Sequence, residues 1–150
     1  MKKNLLDKAA AAHIIERVSR LNPSQKAGWG EMNASEMLLH CNICNRQILE
    51  EGRGNKSTTV KQYLLRILAL YIAPGFKKGI KGESRNDTLG KARPEQFEEL
   101  RNEFIALIRR FPENKQPLTL THTAFGNIST KQWGIAAYKH MDHHLRQFGV

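Results

Sequence analysis

Tyr138-Lys139-His140-Met141-Asp142-His143-His144-Leu145-Arg146-Gln147-Phe148 closes the chain two residues before its end, and the fold is read outward from this stretch. On a helical wheel with His140 at zero, Trp133, His144, Ala137, Met141 and Leu145 fall in order within about 140°. They form one apolar face, and His140 and His144 share its edge. The i, i+4 spacing puts the two imidazoles side by side, a pair able to grip one metal ion. His143 turns away from that face and is assigned to the surface or the rim of a pocket.

A third imidazole sits at a matching place much earlier. Asn33-Ala34-Ser35-Glu36 is a cap with an acid at the third helical position, so a helix runs from about residue 34 to about residue 50 and stops at Gly52. His40 lies in its second turn, at the edge of the face that carries Met37, Cys44 and Ile48. Neutral imidazole is a ligand for zinc, nickel or copper. One histidine from one helix and a pair from another make a three-point site when the helices of a bundle face each other. The candidate ligands are therefore His40, His140 and His144, with a fourth position left to water or substrate.

The remaining chain reads as further helices. Leu5 to Arg20 keeps a helical period, Asn4 is placed to cap it, and Asn22-Pro23 stops it. Thr59-Val60-Lys61-Gln62 is a second capping box, opening a short helix that Pro74-Gly75 ends. Residues 75–92 form a long loop rich in Gly and Lys. Pro94 starts a helix in which Phe97, Leu100, Phe104, Leu107, Ile108 and Phe111 repeat until Pro112. Ser129-Thr130-Lys131-Gln132 is a third capping box and opens the last helix. Leu118 to Thr121 alternates too briefly for a sheet and reads as extended loop. The expectation is an all-α bundle of four main helices and one short one, forming a single domain over residues 1–150.

Composition narrows the partners. With 40% hydrophobic and 25% charged residues the chain is globular in character. Its most apolar run, Tyr63 to Ala73, is too short to span a bilayer. With no leader pattern in the sequence, a cytoplasmic location and no membrane partner are expected. The net charge of +10 raises the question of nucleic acid. The cations are scattered, however, the densest group being Lys77, Lys78 and Lys81, and no DNA-reading motif accompanies them. No nucleic-acid partner is expected, and a basic nucleic-acid-binding protein stands only as a rival reading. Apolar residues on the short helix of residues 60–73 point to a possible homodimer.

Other side chains compete for chemistry. Cys41 and Cys44 make a CxxC, but they lie about two turns into a helix, away from the N-terminus that would stabilise a thiolate. Both read as buried thiols, with Cys44, one turn after His40, an alternative or fourth ligand. Glu36 is within a turn of His40 but is accounted for by its capping box. Asp142 pairs with Arg146 four residues on. Arg146 is a candidate for holding the carboxylate of a substrate or thiol cofactor. Tyr138 and Lys139 face outward or pack.

The run from Trp29-Gly30-Glu31 to Leu39-His40, then Ala124-Phe125-Gly126-Asn127-Ile128-Ser129 with Trp133-Gly134, and finally Tyr138 to Phe148, resembles an uncharacterised branch of the DinB/YfiT-like superfamily. That resemblance implies a four-helix bundle holding a divalent metal, zinc or nickel, with one histidine from the second helix and an HxxxH pair from the last. His40, His140 and His144 match. Some members are S-transferases that use a low-molecular-weight thiol, so the resemblance implies a metal-dependent transferase acting on a small-molecule electrophile. The alternative is a metal-binding or stress-response bundle without turnover. Where that branch has a histidine before a proline, this chain has His122-Thr123, and no role is carried onto His122.

Overall fold

A computed structural model describes residues 2–54, 57–80 and 82–150, so Lys81 of the basic cluster lies outside the described residues. Five α-helices follow in order: α1 Lys8–Ser19, α2 Ala34–Glu50, α3 Val60–Ile67, α4 Phe97–Glu113 and α5 Thr130–Gln147. Helix α4 packs on both α1 and α2, and α5 packs on the same two, which closes a four-helix bundle. The all-α expectation is met. Among the described residues no helix is long and apolar enough to cross a membrane.

Local chemistry explains most boundaries. Asn33, Thr59 and Ser129 each accept a hydrogen bond from the backbone three residues on, and the side chains of Glu36, Gln62 and Gln132 accept one from the cap residue's own amide. Pro94 opens a single 3-10 turn, Pro94–Gln96, before α4 proper. The Phe97, Phe104, Ile108 and Phe111 face of α4 is sunk in the core against Ile14, Met37, Leu38 and Met141. Helix α3 runs on into a π turn, Leu68–Ile72, ahead of Pro74.

Two sequence expectations are corrected and a third, the pairing of Asp142 with Arg146, is extended. Asn4 does not cap α1, which starts at Lys8 after Asp7 with no side-chain cap. Instead the Asn4 amide donates to the Lys131 carbonyl at 3.1 Å, and its Oδ1 accepts from the Leu6 amide at 2.9 Å. With Leu5 donating to the Gly134 carbonyl at 3.0 Å, the N-terminal segment is pinned across α5. The approach is closer than a side chain allows, since a Cβ on Gly134 would lie 1.9 Å from Asn4 Oδ1. The 118–121 region is not wholly loop: β1 Thr121–His122 pairs antiparallel with β2 Gly126–Asn127, His122 opposite Gly126. The hairpin forms because His122 Nδ1 accepts from the amides of Ala124 and Phe125 at 3.0 and 3.2 Å, and Gly126 supplies a φ of 70°. Finally, Asp142 pairs chiefly with Arg17 of α1 at 2.6 Å, with Arg146 at 3.9 Å.

Gly134→Ala is expected to cost about 1–3 kcal/mol in a denaturant titration, by driving the N-terminal segment off α5. In an Asn4→Ala background the cost should shrink, because part of the clash has already been removed.

Candidate metal centre

The two helices that carry the predicted imidazoles face each other, and the rings meet. His40 Nε2 and His144 Nε2 each lie 3.1 Å from His140 Nε2. The three ring centroids are mutually 4.7 to 5.1 Å apart. Cys44 Sγ stands 3.9 Å from His40 Nε2. Ligand atoms of His40, Cys44 and His140 all fall within 4.8 Å of one another, a group able to hold a metal ion.

The far side of two rings decides what the near side is. His40 Nδ1 lies 2.7 Å from the Asn86 carbonyl, which can only accept, so Nδ1 carries the proton and Nε2 presents a lone pair. His144 Nδ1 lies 2.9 Å from Gln147 Oε1. The Gln147 amide nitrogen donates to the Trp29 carbonyl at 2.6 Å, which turns Oε1 toward His144 and makes Nδ1 the donor there too. His144 Nε2 is then also a lone pair. His140 Nε2 can give a proton to one neighbour at most, so at least one close N···N contact has no hydrogen in it. The donor set asks for a cation. About 3.3 Å is the nitrogen separation expected for tetrahedral zinc with Zn–N bonds near 2.05 Å, close to the 3.1 Å from His140 to each of its two neighbours.

Burial keeps the imidazoles neutral, the form that ligates. His144 is pushed down to about 3 by burial and then by His40. His140 is held well below the usual imidazole range by burial and by the neighbouring rings. Burial also lowers His40, against a raising contribution from its Asn86 bond. Cys44 is pushed up to about 12 by burial and by Glu83, and Cys41 is raised well above its usual value by burial. Both stay thiols at neutral pH without a metal, so the CxxC is not a low-pKa redox pair.

The segments that orient the rings are irregular. Asn86 ends a 3-10 turn, Ser84–Asn86, inside the long 75–92 loop. That loop is held to α2 by Thr88 Oγ1 on the Glu36 carbonyl at 2.8 Å and by the Gly90 amide on Glu36 Oε1 at 2.6 Å. Glu36 is thus spent on its cap and its loop, which leaves it no role as a base. At the other side the Gly28-Trp29-Gly30 turn lies on the end of α5. Gly28 donates to the Gln147 carbonyl at 2.7 Å, and a Cβ on Gly30, at φ 78°, would lie 2.6 Å from Gln147 Nε2. Gln147 was expected near the pocket but without a role toward His144, and Asn86 was missed because nothing local marks a loop residue that completes a helix's histidine.

The other candidates sit elsewhere. Arg146 is exposed and lines a small cleft of about 40 Å³ with Trp29, Phe76, Lys78 and His143, whose walls do not include the three imidazoles. His143 stands on this rim, edge-on to Trp29 and to His144. His122 is stacked on Phe125 with centroids 4.0 Å apart. Lys139, read as outward-facing or packed, is buried one residue before His140, its ammonium donating to the Ala69 and Ala73 carbonyls at 2.6 Å each.

Fold and site together define an all-α bundle with a histidine-rich candidate metal centre. Over residues 1–149 the chain matches the model of a family described as a protein of unknown function (DUF1569), and it belongs to that family. The assignment to the DinB/YfiT-like superfamily is corrected accordingly, because the full-length family match is to DUF1569. No curated protein and no solved structure matches the chain.

His122 gives a pH test apart from the histidine cluster. Burial depresses it from the model-peptide value of 6.5 to about 4, so between those values the unfolded chain binds a proton that the folded chain refuses. Stability contributed by the neutral ring is complete above about pH 6.5 and declines as pH falls toward 4, by on the order of 3 kcal/mol. His122→Asn, which keeps an acceptor for the two amides, should make that slope shallower by this ring's share in unfolding titrations across this range, with the slope from the other buried histidines remaining.

Proposed function

We propose that His40, His140 and His144 hold one divalent metal ion, zinc or nickel by donor type, and that the protein uses it on a small-molecule substrate. The observation that carries this reading is the convergence of the Nε2 atoms while two of the three Nδ1 atoms are engaged by Asn86 and Gln147. That is the second-shell pattern of ligating histidines, in which the partner on the far nitrogen fixes the tautomer and aims the lone pair. A divalent ion held there would supply Lewis acidity, which lowers the pKa of a bound thiol or water.

The side chains divide the work. His40 and His144 are fixed acceptors toward the centre. His140, flanked by both, must face it with a lone pair to ligate, which it can do because its Nε2 proton is removable when a cation takes its place. Burial of His144, Met141 and Met37 keeps bulk water from the inner side of the cluster. A low-molecular-weight thiol is the co-substrate we favour, since the half-buried Cys44 marks the neighbourhood as one where sulfur fits.

The same cysteine supports a second reading. If Cys44 ligates, the set is complete with four protein donors, and the centre is a closed, structural one without turnover.

Untagged protein is expected to carry about one equivalent of divalent metal by elemental analysis. His140→Ala should lose it with the helical circular dichroism retained, and Gln147→Ala should weaken the affinity about 10–100-fold. Metal-free unmutated protein, refractory to reloading, overturns the site. Cobalt substitution then separates the readings. A thiolate-to-cobalt band absent in Cys44→Ser identifies the closed centre, whereas chelator-sensitive conjugation of glutathione or bacillithiol to a generic electrophile identifies the open one.

A further inference from the structure

Helix α3 is turned inside out for a helix on a water-facing surface. Two of its polar side chains reach the body: Gln62 donates to the Thr123 carbonyl at 2.9 Å and Arg66 to the Asn127 carbonyl at 3.0 Å. Apart from the half-buried Ile67, its apolar side chains point away. Val60 is 78% exposed, Leu64 62%, Leu68 52% and Ile72 66%, with Tyr63, Leu65 and Tyr71 also exposed. No residue of α3 is buried. An amphipathic helix normally buries the apolar stripe and wets the polar one.

The orientation is enforced. The buried Lys139 ammonium takes the carbonyls of Ala69 and Ala73 at the π turn, and Leu70 is fully buried. At the other end Thr58 Oγ1 accepts from the Asn127 amide at 2.8 Å. Both ends are tied down with the apolar side outward. Contiguous exposure of this kind marks an interaction surface.

Charge selects the occupant. From Gly52 to Gly82 the sequence has seven Lys or Arg and no Asp or Glu. Lys61, Lys77 and Lys78 are exposed around the apolar residues, and Ile80 in the same basic loop is 70% exposed. A second copy would bring two acid-free basic segments face to face, which like-charge repulsion opposes. A sheet of anionic headgroups neutralises the cations while its acyl boundary takes the leucines, the arrangement of interfacial amphipathic helices.

We propose that α3, its π turn and the basic loop after it lie flat on the surface of an anionic lipid bilayer, without crossing it. This goes beyond the metal reading and does not depend on it. It also revises the expectations of no membrane partner and of a homodimer through this helix.

The full chain should sediment with phosphatidylcholine vesicles containing about one third phosphatidylglycerol, and bind pure phosphatidylcholine about tenfold or more weakly, with release at about 1 M salt. Leu64→Ser with Leu68→Ser, both at exposed positions, should lower binding by at least about tenfold at unchanged circular dichroism. Lys61→Glu with Lys77→Glu, which leaves the apolar residues intact, should do so too. Two results overturn the proposal. One is no binding of unmutated protein to the anionic vesicles. The other is a dimer by light scattering that the leucine variant converts to monomer, with vesicle binding unaffected.

Discussion

Three imidazole nitrogens that meet without enough protons to bind one another are the constraint on which this structure turns. His40 and His144 have their Nδ1 protons committed to Asn86 and Gln147, so both bring lone pairs to His140. A packed core does not gather lone pairs at 3.1 Å for its own sake, because buried acceptors without donors cost free energy. Apolar residues at those positions would pack without that cost. The cluster is therefore a group able to hold a metal ion, kept at a cost to the packing of the bundle.

Coarse and fine placement come from different parts of the chain. The bundle brings α2 and α5 together and sets the three Cα positions, as helix packing alone can do. It cannot choose a tautomer. That choice falls to two irregular pieces, the Gly28-Trp29-Gly30 turn acting through Gln147 and the 84–86 turn acting through Asn86. Each is anchored independently of the site, the first by the Gly28 amide on α5 and the second by Thr88 and Gly90 on α2. The 84–86 turn, which local patterns do not mark, therefore fixes the orientation of the His40 ring.

What the sequence could show follows from the range of the forces involved. Capping boxes at Asn33, Thr59 and Ser129 are contacts across three residues, and they marked three helix starts correctly. The i+3 and i+4 repeats of α4 and the shared edge of His140 and His144 are equally local, and the helices and the convergence of imidazoles were legible from them. Asn4 had the right composition for a cap and became a cross-link, because its amide nitrogen finds its acceptor, the Lys131 carbonyl, 127 residues away. Asp142 was paired with its neighbour Arg146 on helical spacing, yet the less exposed Arg17 of another helix holds it more closely. The likeness to DinB/YfiT proteins rested on short blocks around the histidines, whereas the match that identifies the family runs over residues 1–149.

The same limit of range applies to α3, where periodicity measures how strongly a helix is two-faced but not which face the protein will keep. That is decided by what lies opposite. Here the opposite surface offers the carbonyls of Thr123 and Asn127 and the buried Lys139 ammonium. Gln62 and Arg66 meet the two carbonyls, and the backbone carbonyls of Ala69 and Ala73 meet the ammonium. With these contacts made, the leucines of α3 are turned outward. Lys139 and His140 are consecutive, about 100° apart on α5. One turn of that helix therefore presents an imidazole to the centre and an ammonium to the π turn, so the residue that fixes the outward face of α3 is bonded directly to the one at the middle of the histidine cluster.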